Sequence, residues 1–370
     1  MNRRVALQSL GALGAASLAG CAGLLPGSSV GTGTREVVDG AGRTVDLPDS
    51  VDRIVAIGPG SLRQVAYFEA TDRVVGVERA ERRDFKTLPY NAANPGLRDR
   101  PVIGSAGPDA AGNPESILEV EPDVVFLSSI GGSGPADRLQ SQTGIPVVVL
   151  HMPFPLDAAG RNALFETWRL VGQVLQTPTR AEALVGTVTD HVAAVGELVP
   201  DPGSVRAYAG GVSYKGAQGL RTTRVPYPPF DFVGIRNVAS SVGPEAGSVS
   251  VSPERLLEWD PTVLFCSAQN LPLVRDDLAR RPELRSLSAV QDGRSHALFP
   301  VSHYHENVGS MLVDAAYVAQ VVAPDATGDT SLATTADRIY RSLLGASPFD
   351  SIRRELGAVE RVDLTREGSA

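Results

Sequence analysis

Imidazole, phenol and carboxylate stand side by side in His303-Tyr304-His305-Glu306. Each is a ligand type for transition metals. His303 and His305 would point the same way only on extended backbone, with Tyr304 pointing oppositely. A helix starting at this point would remove that alternation. Three readings stand: a direct metal site, contact with a metal chelate, or a satisfied surface cluster. Three of the five histidines fall between 296 and 305. A second group is aromatic and cationic. Tyr208, Tyr214, Tyr227, Phe230 and Phe232 fall within 25 residues, around Tyr214-Lys215-Gly216-Ala217-Gln218-Gly219 and then Arg221 and Arg224. Glycines mixed with aromatics and cations suit a loop against a large, flat or polyanionic ligand, or else a core plus a surface loop. Tyr214, Tyr227 and Arg221 are the ligand candidates, whereas Tyr208 lies on an apolar run and reads as core. The glycines do not end in G-K-[ST], so they form no P-loop.

Continuous apolar runs position these groups. Arg53–Ile57, Val74–Val77, Val124–Leu127 and Val147–Leu150 read as buried strands, and Asp39-Gly40-Ala41-Gly42 reads as the turn of a hairpin. Such strands alternating with helical segments predict a parallel sheet covered on both faces. Leu164, Trp168, Val171 and Leu175 recur at helical spacing. Thr177-Pro178 then starts a second helix, with the stripe Leu184, Val188, Val192, Val195 and Val199. Pro200-Asp201-Pro202-Gly203 ends it, and a new strand–helix alternation begins at Val205. Asn307–Val322 reads as a helix, and the tail carries an Ile339–Leu343–Leu344 stripe.

One repeat organises the chain. Pro114-Glu115-Ser116-Ile117-Leu118-Glu119-Val120-Glu121-Pro122-Asp123-Val124-Val125-Phe126 recurs as Pro253-Glu254-Arg255-Leu256-Leu257-Glu258-Trp259-Asp260-Pro261-Thr262-Val263-Leu264-Phe265, at a constant offset of 139. Each copy reads as a short helix, a proline turn and a buried strand. So large an offset predicts two similar lobes, with the helix from Pro178 joining them. Glu115 and Glu254 each fall in a helix's first turn, where the dipole favours a carboxylate by roughly 0.3–1 kcal/mol. That preference explains one glutamate better than the same glutamate twice. Ligands bind beyond the carboxyl ends of α/β strands, which with two lobes means the cleft between them. First-lobe candidates there are Pro59–Arg63, with Arg63 facing an anionic chelate, Glu78–Arg83 and Ser128–Gly134.

The N-terminus reads as an address. Arg3-Arg4, an apolar stretch from Val5 to Gly20, and Leu18-Ala19-Gly20-Cys21 form an export signal ending in a lipobox, so Cys21 is the expected acylation site. The Arg3-Arg4 pair resembles a twin-arginine signal, with an imperfect continuation. Residues 22–34 are rich in Gly, Ser and Thr and read as a tether. The remaining cysteine, Cys266, sits in an apolar run as a buried thiol. The formal net charge of -8 argues against nucleic-acid binding through bulk charge. Two cysteines exclude a disulfide framework and a cysteine-rich zinc site. Hydrophobic residues at 42% and charged residues at 21% describe a folded chain of one large domain or two.

The lipobox, the paired lobes, the joining helix and the "E-x-aliphatic-L-x-x-x-P-D-V" segment before a strand resemble a known family. It is the helical-linker class of substrate-binding proteins of ABC importers for iron–siderophores, haem and cobalamin. Val38–Pro48 and the following Asp52-Arg53-Ile54-Val55 resemble its entry, and the resemblance runs from about residue 36 to 365. It implies an α/β fold of two Rossmann-type lobes with mainly parallel sheets joined by one long α-helix. It also implies binding without catalysis and no intrinsic cofactor. The ligand would be a metal chelate, most readily a ferric siderophore, otherwise haem or cobalamin. The partner would be a permease dimer docked by Glu115 and Glu254, and the protein a monomer lipid-anchored to the outer face of the cytoplasmic membrane. The last cleft loop would be 303–305, favouring ligand contact by His303, Tyr304 and His305. The divisions are then a signal peptide at 1–20, a tether at 21–35, a first lobe at 36–155, connecting helices at 156–202, a second lobe at 203–325 and a helical tail at 326–370. The competing readings are an exported metal-dependent hydrolase or a direct metal-ion binder using His303 and His305, or an adhesion or sensor lipoprotein. No H-E-x-x-H motif is present, and the G-x-S-x-G match at Gly27-Ser28-Ser29-Val30-Gly31 falls in the tether and not on a strand-to-helix turn, so neither supports a hydrolase.

Overall fold

The computed structural model of the chain describes residues 34–366, except 84–85, 106, 108–111, 129–131, 214–215 and 243–246. The export signal, Cys21, the tether as far as residue 33, and Tyr214 lie outside the described residues.

The described chain opens with an antiparallel hairpin, β1 (Thr34–Val38) and β2 (Thr44–Pro48). Its turn is the Asp39-Gly40-Ala41-Gly42 sequence, where the Asp39 carboxylate accepts from the Ala41 and Arg43 amides at 2.9 and 3.0 Å. Thr34 and Arg35, expected at the end of the tether, instead begin β1. Arg35 donates to the carbonyls of Gln173 and Val174 and so caps the end of a helix.

The first lobe is a parallel sheet of β3 (Ile54–Ile57), β4 (Val74–Gly76), β5 (Val124–Ser128) and β6 (Val147–Leu150), in the order β4-β3-β5-β6. β3, β5 and β6 are buried at every position, which is why they read as unbroken apolar runs. The second lobe starts with β7 (Ala207–Gly210) and a small antiparallel two-stranded sheet, β8 (Thr222–Val225) and β9 (Gly247–Ser250). Then come β10 (Val263–Ser267), β11 (Ser295–Leu298) and β12 (Glu360–Arg361), giving the sheet β12-β11-β10-β7. Here β7, β10 and β11 are parallel and β12 is antiparallel. β3-β5-β6 and β7-β10-β11 thus repeat one spatial order. The tail is no separate unit, because β12 supplies the second sheet's edge.

The repeat is structural to the residue. Helices Pro114–Glu119 and Pro253–Trp259 carry side-chain N-caps from Asn113 to the Ser116 amide and from Ser252 to the Arg255 amide. Ile117 and Leu256 are each 0% exposed. Glu121 and Asp260, also 139 apart, both adopt left-handed backbone at φ 42 and φ 37, one residue before a proline. Between the lobes run two antiparallel helices, Ala158–Val174 and Pro178–Gly196. Trp168 of the first is fully buried and donates to Gln64 at 2.8 Å. The second stops three residues short of its apolar stripe, because Pro200 disfavours helical backbone at Val199. Its Arg180 donates to the carbonyls of Tyr67 and Leu343, tying the first lobe to the tail helix Leu332–Leu344. Cys266 is buried in β10, and burial pushes its thiol up to about 12.

Left-handed backbone costs a residue with a side chain about 1–2 kcal/mol. Glu121→Gly should therefore raise stability by up to about 1 kcal/mol in urea unfolding, net of the added freedom of the unfolded chain. Asp260→Gly should lower it by about 1–2 kcal/mol. The Asp260 carboxylate accepts from both the amide and the hydroxyl of Ser288, at 2.7 and 2.6 Å, and glycine abolishes both bonds.

Candidate functional site

A cavity of about 240 Å³ opens beyond the carboxyl ends of β7, β10 and β11. Val212, Gly216 and Ala217 come from the chain after β7, Ser267 and Asn270 from the end of β10, and Val301–Tyr304 from the loop after β11. This is where α/β sheets hold ligands, because strand ends there release their loops around a common crevice. Among the described residues its wall carries hydroxyls, amides, an imidazole and a phenol, but no arginine or lysine. Asn270 is held in place by its own donation to the Gly211 carbonyl at 2.7 Å. A larger hollow of about 410 Å³ lies between Val38–Gly40 of the N-terminal hairpin and Glu166–Gln173 of the adjacent helix. Its Arg169 is already paired with Glu166 and Glu182.

The loop after β11 is neither an extended strand nor a helical turn. Ser302 and Glu306 face each other across an isolated antiparallel bridge. The His303 amide donates to the His305 carbonyl at 3.1 Å. Between them Tyr304 and His305 are both left-handed, at φ 50 and φ 79. Two such residues in succession cost roughly 1–3 kcal/mol each and persist only where surroundings fix them. Those surroundings come largely from the first lobe. Arg63 is 1% exposed, and its guanidinium donates to the carbonyls of Glu306, His303 and Tyr304 at 2.7, 2.9 and 3.1 Å. Its cation also stands 5.0 Å from the centre of the Tyr90 ring. Tyr304 donates its hydroxyl to Glu78 at 2.7 Å and accepts from the Gly107 amide at 3.3 Å. Gly60, at φ +84, gives the loop room, since a Cβ there would lie 3.2 Å from the His305 Cβ.

The second lobe completes the clamp. Arg224 and Glu306 form a bidentate ion pair at 2.8 and 3.0 Å, with side chains 1% and 2% exposed. The Ser302 hydroxyl donates to the same carboxylate at 2.6 Å, and Arg224 also lies 4.5 Å from the Phe154 ring centre. Burial shapes the neighbouring titrations. It pushes Glu78 up to about 8, with Tyr304's hydrogen bond opposing and repulsion from Glu81 adding to the rise. It also pushes His305 down to about 3, helped by the nearby Arg63 and Arg224 cations.

The structure thus distributes the residues singled out in the sequence. His303 and Tyr304 line the cavity wall. His305 is turned toward Gly60 and Met152, so the two imidazoles do not share a face. Among the described residues, no group of three or more His, Cys, Asp or Glu side chains could hold a metal ion. Tyr227 was expected against the ligand, and the structure corrects this. It precedes a short helix, Pro228–Val233, at 1% exposure, with its ring edge-on to Phe230 at 5.0 Å. Arg63 is likewise turned from an expected ligand contact into a tie between lobes. Arg224 was read as a loop cation and is a buried strand residue. Arg221 is half-buried and reaches toward the Val251 carbonyl. Tyr208 is core, donating to the Leu220 carbonyl at 3.0 Å. Glu115 and Glu254 are both exposed, one on each lobe. The Glu254 carboxyl is held below its usual range by its own backbone N–H, the Ser252 hydroxyl and the Arg221 charge. Ser267 and Asn270 were missed, although they follow an apolar strand in the way that flags Ser128 in the first lobe.

Comparison with known proteins decides the family. The periplasmic binding protein family model matches residues 54–298, more than half the chain, from the start of β3 to the end of β11. The chain belongs to the periplasmic binding protein family. Its two α/β lobes joined by one long helix are those of the helical-linker class. This is a family of binding proteins and not of enzymes, and it places the protein outside the cytoplasm. A cobalamin-binding protein of Halobacterium salinarum is 23% identical over 61% of this chain, and the match covers only 56% of that relative's length. The molybdate-binding protein MolA of Haemophilus influenzae is 23% identical over 62% of this chain and 68% of its own. MolA's structure with molybdate superposes with a TM-score of 0.66 at 20% identity, covering 85% of this chain and 98% of MolA. A periplasmic solute binding protein of Veillonella parvula gives a TM-score of 0.68 at 19% identity, covering 88% and 97%. These structural likenesses speak for the fold of this periplasmic binding protein.

A carboxyl whose folded pKa exceeds its unfolded value binds more protons in the native state, so stability falls as pH rises between the two. For Glu78 that window runs from about 4.5 to about 8. Urea unfolding of wild type and Glu78→Gln should therefore diverge across it, the wild type losing stability relative to the variant as pH rises. A pH-independent difference would refute the raised titration. Arg224→Met alone should cost about 3–5 kcal/mol, since it strands the Glu306 charge, and Arg224→Met with Glu306→Gln should recover much of that loss.

Proposed function

We propose that this periplasmic binding protein is the substrate-binding component of an ABC importer and carries a metal chelate in the cleft between its lobes. The observation that carries the reading is the cavity beyond β7, β10 and β11, one wall of which is a loop anchored in the opposite lobe. A ligand seated there touches one lobe directly and meets the other through that loop. His303 and Tyr304 are the contacts from the second lobe, with Tyr214 and Arg221 as further candidates, and a ferric siderophore is the first candidate ligand. Haem and cobalamin are the other chelates of this reading. The names of the Halobacterium and Haemophilus relatives put cobalamin and molybdate in the same test.

Glu115 and Glu254 dock on the two subunits of the permease. Their support is the exact repetition of N-cap, proline and exposed carboxylate on both lobes, which suits a partner presenting two cationic pockets related by a two-fold axis. Residues 1–20 are the export signal and Cys21 the acylated residue that tethers the protein to the outer face of the membrane. The protein acts as a monomer, with no nucleic-acid partner.

Titration of intrinsic fluorescence with a ferric trihydroxamate, a ferric catecholate, haem, cobalamin, molybdate and bare divalent metals tests the ligand. One of the chelates should bind saturably at one-to-one stoichiometry with bare metals inert. Tight binding of a bare metal, lost in His303→Ala, would overturn the chelate reading. Glu115→Arg combined with Glu254→Arg should abolish uptake while the affinity for the bound chelate stays within about twofold. Normal uptake in that double variant would sink the docking role.

A further inference from the structure

The segment Ser302–Glu306 belongs to the second lobe and forms part of its cavity wall, yet much of what fixes its shape comes from the first lobe. Arg63 gathers three of its carbonyls, those of His303, Tyr304 and Glu306. Glu78 receives the Tyr304 hydroxyl and, on the same oxygen, the Gly58 amide at 3.0 Å. Both first-lobe residues are buried at 1% exposure, and neither lines the cavity. The loop they hold carries two adjacent left-handed residues, a conformation that local sequence does not favour and that external bonds must impose.

We propose that Ser302–Glu306 is a latch between the lobes, and that Glu78 and Arg63 are positioning residues that set the shape of the second-lobe cavity without touching the ligand. The half of this that concerns affinity rests on the cavity being the ligand site; the latch itself does not. A guanidinium whose acceptors sit on the other lobe must find new partners when the lobes part, because a buried donor left unpaired is unfavourable. The loop and the lobe angle therefore move together. A cavity wall formed by such a loop keeps one shape while the latch is shut. Ligand discrimination then depends on residues outside the cavity, in the opposite lobe.

The test uses the folded protein and hydrogen exchange at the amides of 303–307. Glu78→Leu keeps volume but removes the acceptor, and should speed exchange there at least tenfold. Glu78→Gln keeps an acceptor and should stay within about threefold of wild type. Tyr304→Phe removes the hydroxyl, which donates to Glu78 and accepts from the Gly107 amide, and its effect on exchange should add less than fully to that of Glu78→Leu, since the two variants share the loss of the Tyr304–Glu78 bond. It also serves if Glu78→Leu fails to fold. Unchanged exchange in these variants, or full additivity, would overturn the latch. A ferric trihydroxamate, haem and cobalamin serve as ligand probes. Affinity for whichever binds the wild type should fall at least tenfold in Glu78→Leu and recover in Glu78→Gln. Faster exchange with unaltered affinity would overturn the positioning role and leave the latch standing. If wild type binds none of the probes, the chelate reading falls, while the exchange result still decides the latch.

Discussion

Two buried guanidiniums, one from each lobe, converge on the five residues between Ser302 and Glu306. Removing an arginine from water is expensive, and the charge persists only where acceptors surround it. Arg224 meets this with the two carboxylate oxygens of Glu306 and the face of Phe154. Arg63 meets it with three backbone carbonyls and the face of Tyr90. Those three carbonyls belong to the other lobe, so burying Arg63 is a condition on how the lobes sit as much as on how the first lobe folds. The strained backbone of Tyr304 and His305, the close approach at Gly60 and the wall of the cavity all follow from meeting that condition.

The rest of the molecule is an internal repetition on which this asymmetric feature is imposed. Both lobes share the cap, the proline, the exposed glutamate, the left-handed acid and the central strand in one register. A repeat of this kind is held by local physics. Asn113 and Ser252 satisfy an orphan amide, Pro114 and Pro253 occupy a position whose N–H has no partner, and Ile117 and Leu256 pin the helix to its sheet. What differs is what lies beyond the strand ends. Only the second lobe adds β8–β9, which delivers Arg224, and only its last parallel strand is followed by the clamped loop.

That division explains what could be read from the amino-acid order. The parallel strands, the joining helix and the two lobes were legible because each is written in contiguous residues, as apolar runs or as a stripe of period 3.6. The 302–306 loop was not, because its shape comes from partners about 80 and 240 positions away. Arg224 follows the same rule. Beside glycines and aromatics it read as one cation of a loop, and the pairing of β8 with β9 turns it inward to Glu306. Tyr227 was misplaced for a related reason, since an aromatic cluster in sequence is equally the signature of a core, here built with Phe230 and Phe265. His303 and His305 were bracketed between an extended and a helical geometry, and the chain adopts neither.

The latch also bears on how such a protein can discriminate. A second tie runs through the joining helix, where Arg180 binds carbonyls of the first lobe and of the tail helix and pairs with Glu69 at 3.1 Å. Parting the lobes strains whichever tie lies away from the hinge, and each tie ends on a buried or half-buried arginine. Wide parting of the lobes is therefore unfavourable here, and the ties favour the cleft seen in this structure. Binding to a preformed cleft forfeits less ordering free energy than binding that must also shut it, so affinity comes from complementarity already built. The same rigidity makes the fit demanding, because a ligand of the wrong size meets a wall that cannot yield without unseating Arg63.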